Sequence, residues 1–384
     1  MIPYGRQDIS EADIAAVVDV LRSDWLTQGP AGPAFEQALC RYVSVPHCVT
    51  VSNATAGLHL AYLALGLKQG GLVWTSPNTF VATANASLYC GADIDFVDID
   101  PQTYCMSVDL LEAKLAQAER TGARLPDIVT MVHFAGQSAG MPRLHALGQH
   151  YGFKIVEDAS HAIGADVEGG KVGDCRFSDI CVFSFHPVKI ITTGEGGALM
   201  TRDPELAVSL AQLRSHGITR DPDRMVSASE GSWYYQQISL GLNYRMTDIQ
   251  SALGLSQLKR IDPFIAHRRA LAVRYDQLLA GMPVTCPWQS PEGQSAFHLY
   301  PVCIGSGYDR ATVFEAMRKA GIGVNVHYIP VHLQPVYLQR GFKRGDYPQA
   351  EAYYDAAITL PLYASMTLEQ QDQVVSALEA SLGV

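Results

Sequence analysis

The chain has 384 residues, 28 Lys+Arg against 38 Asp+Glu, a formal charge of −10 and no basic block. A nucleic-acid partner is therefore not expected, because phosphate binding leaves a basic footprint. Hydrophobic residues make up 48% and charged residues 17%, which excludes a disordered chain and supplies a sizeable core for two or three domains.

Short β-branched runs alternate with helix-forming stretches over the first two-thirds. They are HCVTVSN from His47, LVWTS from Leu72, IDFVDI from Ile94, IVTMVHF from Ile128, FKIVED from Phe153, ICVFSF from Ile180 and GALMT from Gly197. Apolar on both faces, they predict a parallel sheet covered by helices. Ligands bind such sheets at the strands' carboxyl ends. Residues 215–246 read as loop. Thr247 or Asp248 then caps a helix through about Leu258, and Asp262-Pro263 opens another. Cys286–Gln294, with Pro287, Pro291 and Gly293, reads as a linker. The tail predicts a strand (FHLYPVCI), a helix (ATVFEAMRKAG), a strand (IGVNVHY) and a last helix from about Leu368. The expected organisation is an N-terminal arm and large domain over 1–250, then a smaller α/β domain over 251–384. No apolar run reaches the ~18 residues of a membrane span. The opening MIPYGRQDISEADIAAVV has an early Asp and Glu and no apolar signal core. Eight cysteines without a CxxC pair read as reduced thiols, so the expected location is cytoplasmic.

Several motifs compete for the chemistry. Gly136-Gln137-Ser138-Ala139-Gly140 matches G-x-S-x-G and follows a strand, which makes a serine hydrolase the alternative from another class. No HGGG-like oxyanion string accompanies it. The G-x-G-x-x-G fingerprint and the G-x-x-x-x-G-K-[ST] phosphate loop are both absent. His327 and His332 flank a proline with no carboxylate at helical spacing, so no metal is expected.

Three strand ends carry more. FKIVED ends on Asp158, a carboxylate that is costly at the end of an apolar strand unless a cation meets it. ICVFSF runs into Ser184, His186 and a lone Lys189, followed by Gly194, Gly196 and Gly197. A lysine buried in such a turn is easily deprotonated. Ser52-Asn53-Ala54-Thr55-Ala56-Gly57 opens a helix after the first strand and offers free N–H groups to a phosphate. Singly, these residues fit plainer roles: a capping Asp, a surface Lys, a helix cap. Together they form the parts of a pyridoxal phosphate site.

Over essentially its whole length the chain resembles the DegT/StrS family of fold-type I pyridoxal-phosphate sugar aminotransferases. The strings that carry the likeness are SNATAGLHLAYLALG, SPNTFVATANA, VHFAGQ, VEDASHAIGA, FSFHPVKIITTGEGG and LGLNYRMTDIQSALGLSQL. The resemblance implies that Lys189 carries the cofactor and that Asp158 pairs with its pyridine nitrogen. It puts His161 beside the ring, Phe80 stacked on it, and Thr55, Ala56 and Ser184 in the phosphate cradle. Asn243 and Arg245 would reach the phosphate from the partner subunit of a homodimer. Family members that dehydrate sugars have His at the lysine position; Lys189 keeps this chain with the aminotransferases. VHFAGQ is a family motif without a nucleophilic serine, which argues against Ser138.

The implied reaction is a ping-pong transfer from L-glutamate to a keto group of a nucleotide-linked sugar, with Lys189 moving the proton at the donor Cα. PYGRQDI, SDWLTQGP and GIGVNVHYIPVH are most similar to the members of pseudaminic acid synthesis, implying a UDP-linked 4-keto-6-deoxy-N-acetylhexose. A 4-keto pentose, or a GDP- or dTDP-hexose, is the nearest rival. Tyr4, Arg6, His186, His327 and Tyr328 are the candidate substrate contacts, and Arg220 and Arg224 further donors for a diphosphate.

Overall fold

The computed structural model of the chain describes residues 1–138, 140–291 and 293–384. All seven predicted runs enter one sheet: β1 (His47–Val51), β2 (Leu72–Thr75), β3 (Asp93–Phe96), β4 (Ile128–Val132), β5 (Lys154–Asp158), β6 (Ile180–Ser184) and β7 (Gly197–Thr201). Their order across the sheet is β1-β7-β6-β5-β4-β2-β3. Six strands point the same way. β7 runs antiparallel to both β1 and β6, where the sequence predicted a parallel strand. The cause is the connection from β6, which returns through residues 185–196 without a crossover helix; a parallel return needs one. That return carries Lys189.

Alternation along the strands divides the core between the sheet's two faces. Val129, Met131, Ile155, Cys181 and Phe183 point into one buried cluster. Ile128, Val156, Ile180, Val182 and Leu199 point into the other. Helix α1 (Glu11–Leu21) packs against α8 (Asp248–Leu258), as does α2 (Ala31–Val43). α3 (Ala54–Ala64), which leads from β1, lies against the second face, so close that a Cβ on Gly57 would meet Val182 Cγ1 at 2.9 Å. The remaining helices of the first half are α4 (Val81–Tyr89), α5 (Val108–Thr121), α6 (Met141–Tyr151) and α7 (Pro204–Leu213). α8 starts where the sequence placed it, on a Thr247–Gln250 capping box.

A third cluster lies towards the C-terminus. It is formed by α9 (Ile261–Leu278), a three-stranded antiparallel sheet of Val284–Thr285, Tyr300–Ile304 and Ala357–Leu360, and the helices Arg310–Lys319 and Leu368–Leu382. α9 joins the cores: Ile261, Phe264 and Ile265 belong to the first, Leu271, Ala272 and Tyr275 to the third. One predicted strand is corrected. IGVNVHY makes only isolated bridges, Ile322 with Ile2 and Asn325 with Thr359, and Ala357–Leu360 takes the sheet position instead. The segment touches the edge of the sheet only at Asn325, and the N-terminal arm packs along its start: Gly323 N–H donates to Ile2 O at 2.6 Å, and Leu362 N–H donates to Tyr4 O at 3.1 Å.

Candidate active site

The carboxyl ends of β1, β2, β5 and β6 open onto a cleft of about 900 Å³, walled on the far side by Tyr4, His298 and residues 325–328. At its floor, Asn53 caps α3, its Oδ1 accepting from Ala56 N–H at 2.8 Å. The Ala56 amide, expected in a phosphate cradle, is therefore already used. The Ala54 and Thr55 amides have no hydrogen-bond partner among the described residues, and both residues line the cleft. Such orphan N–H groups at a helix start attract an anion. Gly197 brings Ser184 beside them. It pairs with Val51 on one side and Ser184 on the other, and a Cβ there would sit 2.8 Å from Ala54 N.

Asp158 ends β5 between Val132 and Val182 and is 6% exposed. Its Oδ2 accepts from Thr83 Oγ1 at 2.6 Å and its Oδ1 from Ser160 N–H at 3.1 Å. No cation pairs with it among the described residues. A buried carboxylate oriented this firmly, yet unpaired, suits a cationic ligand. Lys189 stands on the β6–β7 return, half-buried, with its pKa pulled down to about 8 by burial against the opposing pull of Asp158. Its Nζ lies 3.5 Å from His298 Nε2.

Three histidines surround the amine, each held neutral by burial first and by Lys189 second. His161 and His298 are pushed well below the usual range, and His327 to about 3. Ala135 N–H donates to His161 Nδ1 at 3.3 Å, which leaves the ring proton on Nε2 to donate to Tyr328 Oη at 3.0 Å. Phe80 caps α4 with its ring 57% exposed in the cleft, 6.1 Å from Tyr328. His186 is exposed at the lining, and Tyr4 packs on His327 at 5.3 Å.

Not every expected residue reaches the cleft. Arg6, Asn243 and Arg245 do not line it, although Tyr244 O accepts from Ser52 N–H at 2.8 Å beside the cradle. Arg245 makes no ion pair among the described residues. Arg224 pairs with Glu205 at 2.9 Å, Arg220 lies over the Tyr235 ring, and His327 is uncharged, so none of these offers a charge-assisted donor to the cleft. Ser138 is corrected. It is 4% exposed, lies outside the cleft, and its Oγ has no hydrogen-bond partner among the described residues, whereas a serine nucleophile needs a base within reach. Ala139 of the same motif lies outside the described residues. Residues the sequence did not single out are Thr83, His298, Asn325 and Glu195. Thr83 was legible, one helical turn after Thr79 in SPNTFVATANA, and their hydroxyls meet at 2.7 Å. His298 had no local signal.

A lysine with a lowered pKa, an unpaired buried aspartate and an anion cradle, all at strand ends of a mostly parallel sheet, define a fold-type I pyridoxal-phosphate aminotransferase. The chain belongs to the DegT/DnrJ/EryC1/StrS aminotransferase family, whose model matches residues 7–379. It is similar to the UDP-4-amino-4,6-dideoxy-N-acetyl-beta-L-altrosamine transaminase of Campylobacter jejuni serotype O:23/36, 36% identical over 387 residues, covering 99% of this chain and 98% of that one. Among solved structures it is similar to Helicobacter pylori PseC, described as an aminotransferase involved in the biosynthesis of pseudoaminic acid. The TM-score is 0.91 at 30% identity, over 100% of this chain and 99% of that one. It is also similar to Spr1654 of Streptococcus pneumoniae, assigned as a sugar aminotransferase, in its PLP-form. There the TM-score is 0.89 at 30% identity, over 100% and 98% of the two chains. The protein is a PLP-dependent sugar aminotransferase, and no described helix is long and apolar enough to cross a membrane.

Proposed function

We propose that the protein transfers the amino group of L-glutamate to C4 of a UDP-linked 4-keto-6-deoxy-N-acetylhexose, a step of pseudaminic acid synthesis. The observation that carries this reading is the origin of the far wall. Tyr4, from PYGRQDI, and His327 and Tyr328, from GIGVNVHYIPVH, line the cleft opposite the strand ends. These are segments on which the resemblance to the members of pseudaminic acid synthesis was based. The relative from Campylobacter and the PseC structure bear names of that chemistry. SDWLTQGP contributes nothing to the lining.

The residues divide the work as follows. Thr55, Ser184 and the Ala54 and Thr55 amides hold the cofactor phosphate. Asp158 holds the proton on the pyridine nitrogen, with Thr83 and Ser160 fixing the carboxylate's orientation. When bound, pyridoxal phosphate supplies the electron sink for the charge left at the donor Cα. Lys189 would hold the cofactor and, as a free amine, would take the Cα proton and return it; a pKa near 8 suits a base working at neutral pH. Phe80 and His161 line the cleft where the cofactor ring would lie, and the free cysteines support a cytoplasmic location.

The cleft of one chain has no lining arginine among the described residues, although it must receive a dicarboxylate and a diphosphate. We therefore assign Asn243 and Arg245 to the partner's site in a homodimer. Mixing inactive Lys189→Ala with inactive Arg245→Ala should restore part of the activity; no recovery despite proven subunit exchange overturns the shared site. The substrate is tested by kcat/KM with glutamate and a panel of UDP-, GDP- and dTDP-keto sugars, with products read by mass spectrometry. Preference for a keto pentose or another nucleotide overturns the substrate and leaves the aminotransferase intact.

A further inference from the structure

His298 has no part in the reading above, yet its surroundings are built to hold it. It sits at the head of the Tyr300–Ile304 strand, 3% exposed, with its ring 4.6 Å from His161. The preceding Phe297 adopts a left-handed φ of 47° that a bulky residue rarely holds. Three contacts enforce that turn. Leu299 N–H donates to Ala135 O at 3.3 Å. The buried Arg268 has Nη1 3.2 Å from Phe297 O, 3.3 Å from His298 O and 2.9 Å from Leu362 O. Gly136, at φ 104°, lets the backbones approach; a Cβ there would meet Phe297 N at 3.0 Å and His298 N at 3.1 Å. A strained turn, a fully buried arginine spent on carbonyls and a glycine contact all fix one imidazole against Lys189.

We propose that His298 is a positioning residue for Lys189: a neutral imidazole whose Nε2 accepts a hydrogen bond from the freed Nζ and holds the amine in line with the donor Cα. No covalent bond forms to His298, and the proton from Cα is never transferred to its ring. The proton taken from Cα stays on Nζ, and Nε2 orients that ammonium for its return. The separation of 3.5 Å is long for such a bond, as expected before substrate closes the site. Accepting at Nε2 puts the ring proton on Nδ1, which has no partner among the described residues. The charged and titratable groups facing His298 are Lys189, His161, His327 and Arg268, while Asp158 faces Lys189 from the other side. The inference rests on Lys189 being the cofactor-bearing amine.

The first test needs no substitution. Nitrogen-15 NMR of histidine-labelled apoenzyme should show His298 neutral with its proton on Nδ1; an Nε2–H tautomer overturns the proposal. The second follows trinitrobenzenesulfonate modification of Lys189 in the apoenzyme against pH, read by peptide mass spectrometry. His298→Phe removes an acceptor from the ammonium, so the midpoint should fall below the wild-type value of about 8. In the cofactor-loaded variant the glutamate half-reaction should slow by about tenfold or more, with KM for glutamate within about threefold and the yellow colour retained. His298→Gln, which restores an acceptor, should recover most of that rate. An unchanged midpoint and a half-reaction within about twofold of wild type overturn the proposal. If His298→Phe does not fold, the tautomer decides. Failure of the underlying assignment looks different: Lys189→Ala would then keep its activity whatever His298 does.

Discussion

On the sheet side of the cleft, every functional group stands at or just beyond a strand end. Asp158 and Ser184 close β5 and β6, Thr55 follows β1, Phe80 follows β2, and Lys189 lies on the return to β7. On the opposite side, Tyr4 comes from the N-terminal arm, His298 from the head of a strand in another sheet, and Asn325 to Tyr328 from a segment without regular structure. The first wall is fixed by the topology of one parallel sheet. The second depends on contacts such as Ile2 with Gly323, Tyr4 with Leu362, and Arg268 with three carbonyls. The comparison frames the proposed division of tasks: the sheet wall would hold the cofactor, Tyr4 and residues 325–328 would meet the sugar, and His298 would reach Lys189 from the far side.

The largest effect expected from breaking the sheet wall is at Lys189. Lys189→Ala should lose the yellow colour that borohydride abolishes, and lose turnover by at least the ~10²–10⁴-fold that positioned proton transfer contributes. Full aminotransferase activity would refute the assignment. The wild-type amine offers a pH test. Only the deprotonated amine attacks the cofactor aldehyde. Capture by the apoenzyme should therefore rise about tenfold per pH unit and level near pH 8, where a solvated lysine would keep rising towards 10.5. Stopped-flow absorbance on adding pyridoxal phosphate measures it.

The same contrast explains what the sequence made legible. The seven strands were readable because most are short β-branched runs apolar on both faces, and the strand-end rule then pointed to Asp158 and Lys189. β7's direction was not readable, since its residues would suit either orientation and the missing crossover helix decides it. IGVNVHY has the composition of a strand but pairs with the edge strand Ala357–Leu360 only at Asn325, while Ile2 pairs with its start. The resemblance put Ala56 in the cradle; its amide donates to Asn53 Oδ1, a cap contact that position in the sequence alone did not show. His298 and its clamp were invisible, because Arg268, Gly136 and His298 come together only in the folded chain.

Asp158→Asn sharpens the comparison within the sheet wall. It keeps the shape and the Thr83 contact while removing the charge that holds a proton on the pyridine nitrogen. Loss of such an electrostatic partner should lower kcat by about 10²–10³-fold with cofactor still bound. A fall confined to cofactor affinity would reduce Asp158 to a structural residue. Thr83→Val is the milder form, deleting the 2.6 Å hydrogen bond and keeping the volume. A bond to a charged group contributes roughly 1.5 kcal/mol at the low end, so kcat should fall about tenfold. The loss should shrink sharply when Asp158→Asn is already present, because the two act as one unit. Additive losses in that double-mutant cycle would show that Thr83 acts elsewhere.

The smallest expected effect lies on the loop between the walls. Gln137 ties this loop to the linker ahead of the far wall, its Nε2 donating to Trp288 O at 3.2 Å and its Oε1 accepting from Ser290 N–H at 2.6 Å. The neighbouring Ser138 hydroxyl is buried with no partner among the described residues, an arrangement that carries a desolvation cost without return. Ser138→Ala removes that hydroxyl and leaves no large cavity. It should leave kcat/KM within about twofold and raise stability by roughly 1 kcal/mol, a few degrees in Tm. Calorimetry and the glutamate half-reaction measure the two quantities side by side. A large loss of activity with unchanged Tm would give Ser138 a chemical role and break the assignment of all cofactor chemistry to the strand ends. A large loss of stability would instead mean that the hydroxyl has a partner in the folded protein, and that the loop couples the two walls through Ser138 as well as Gln137.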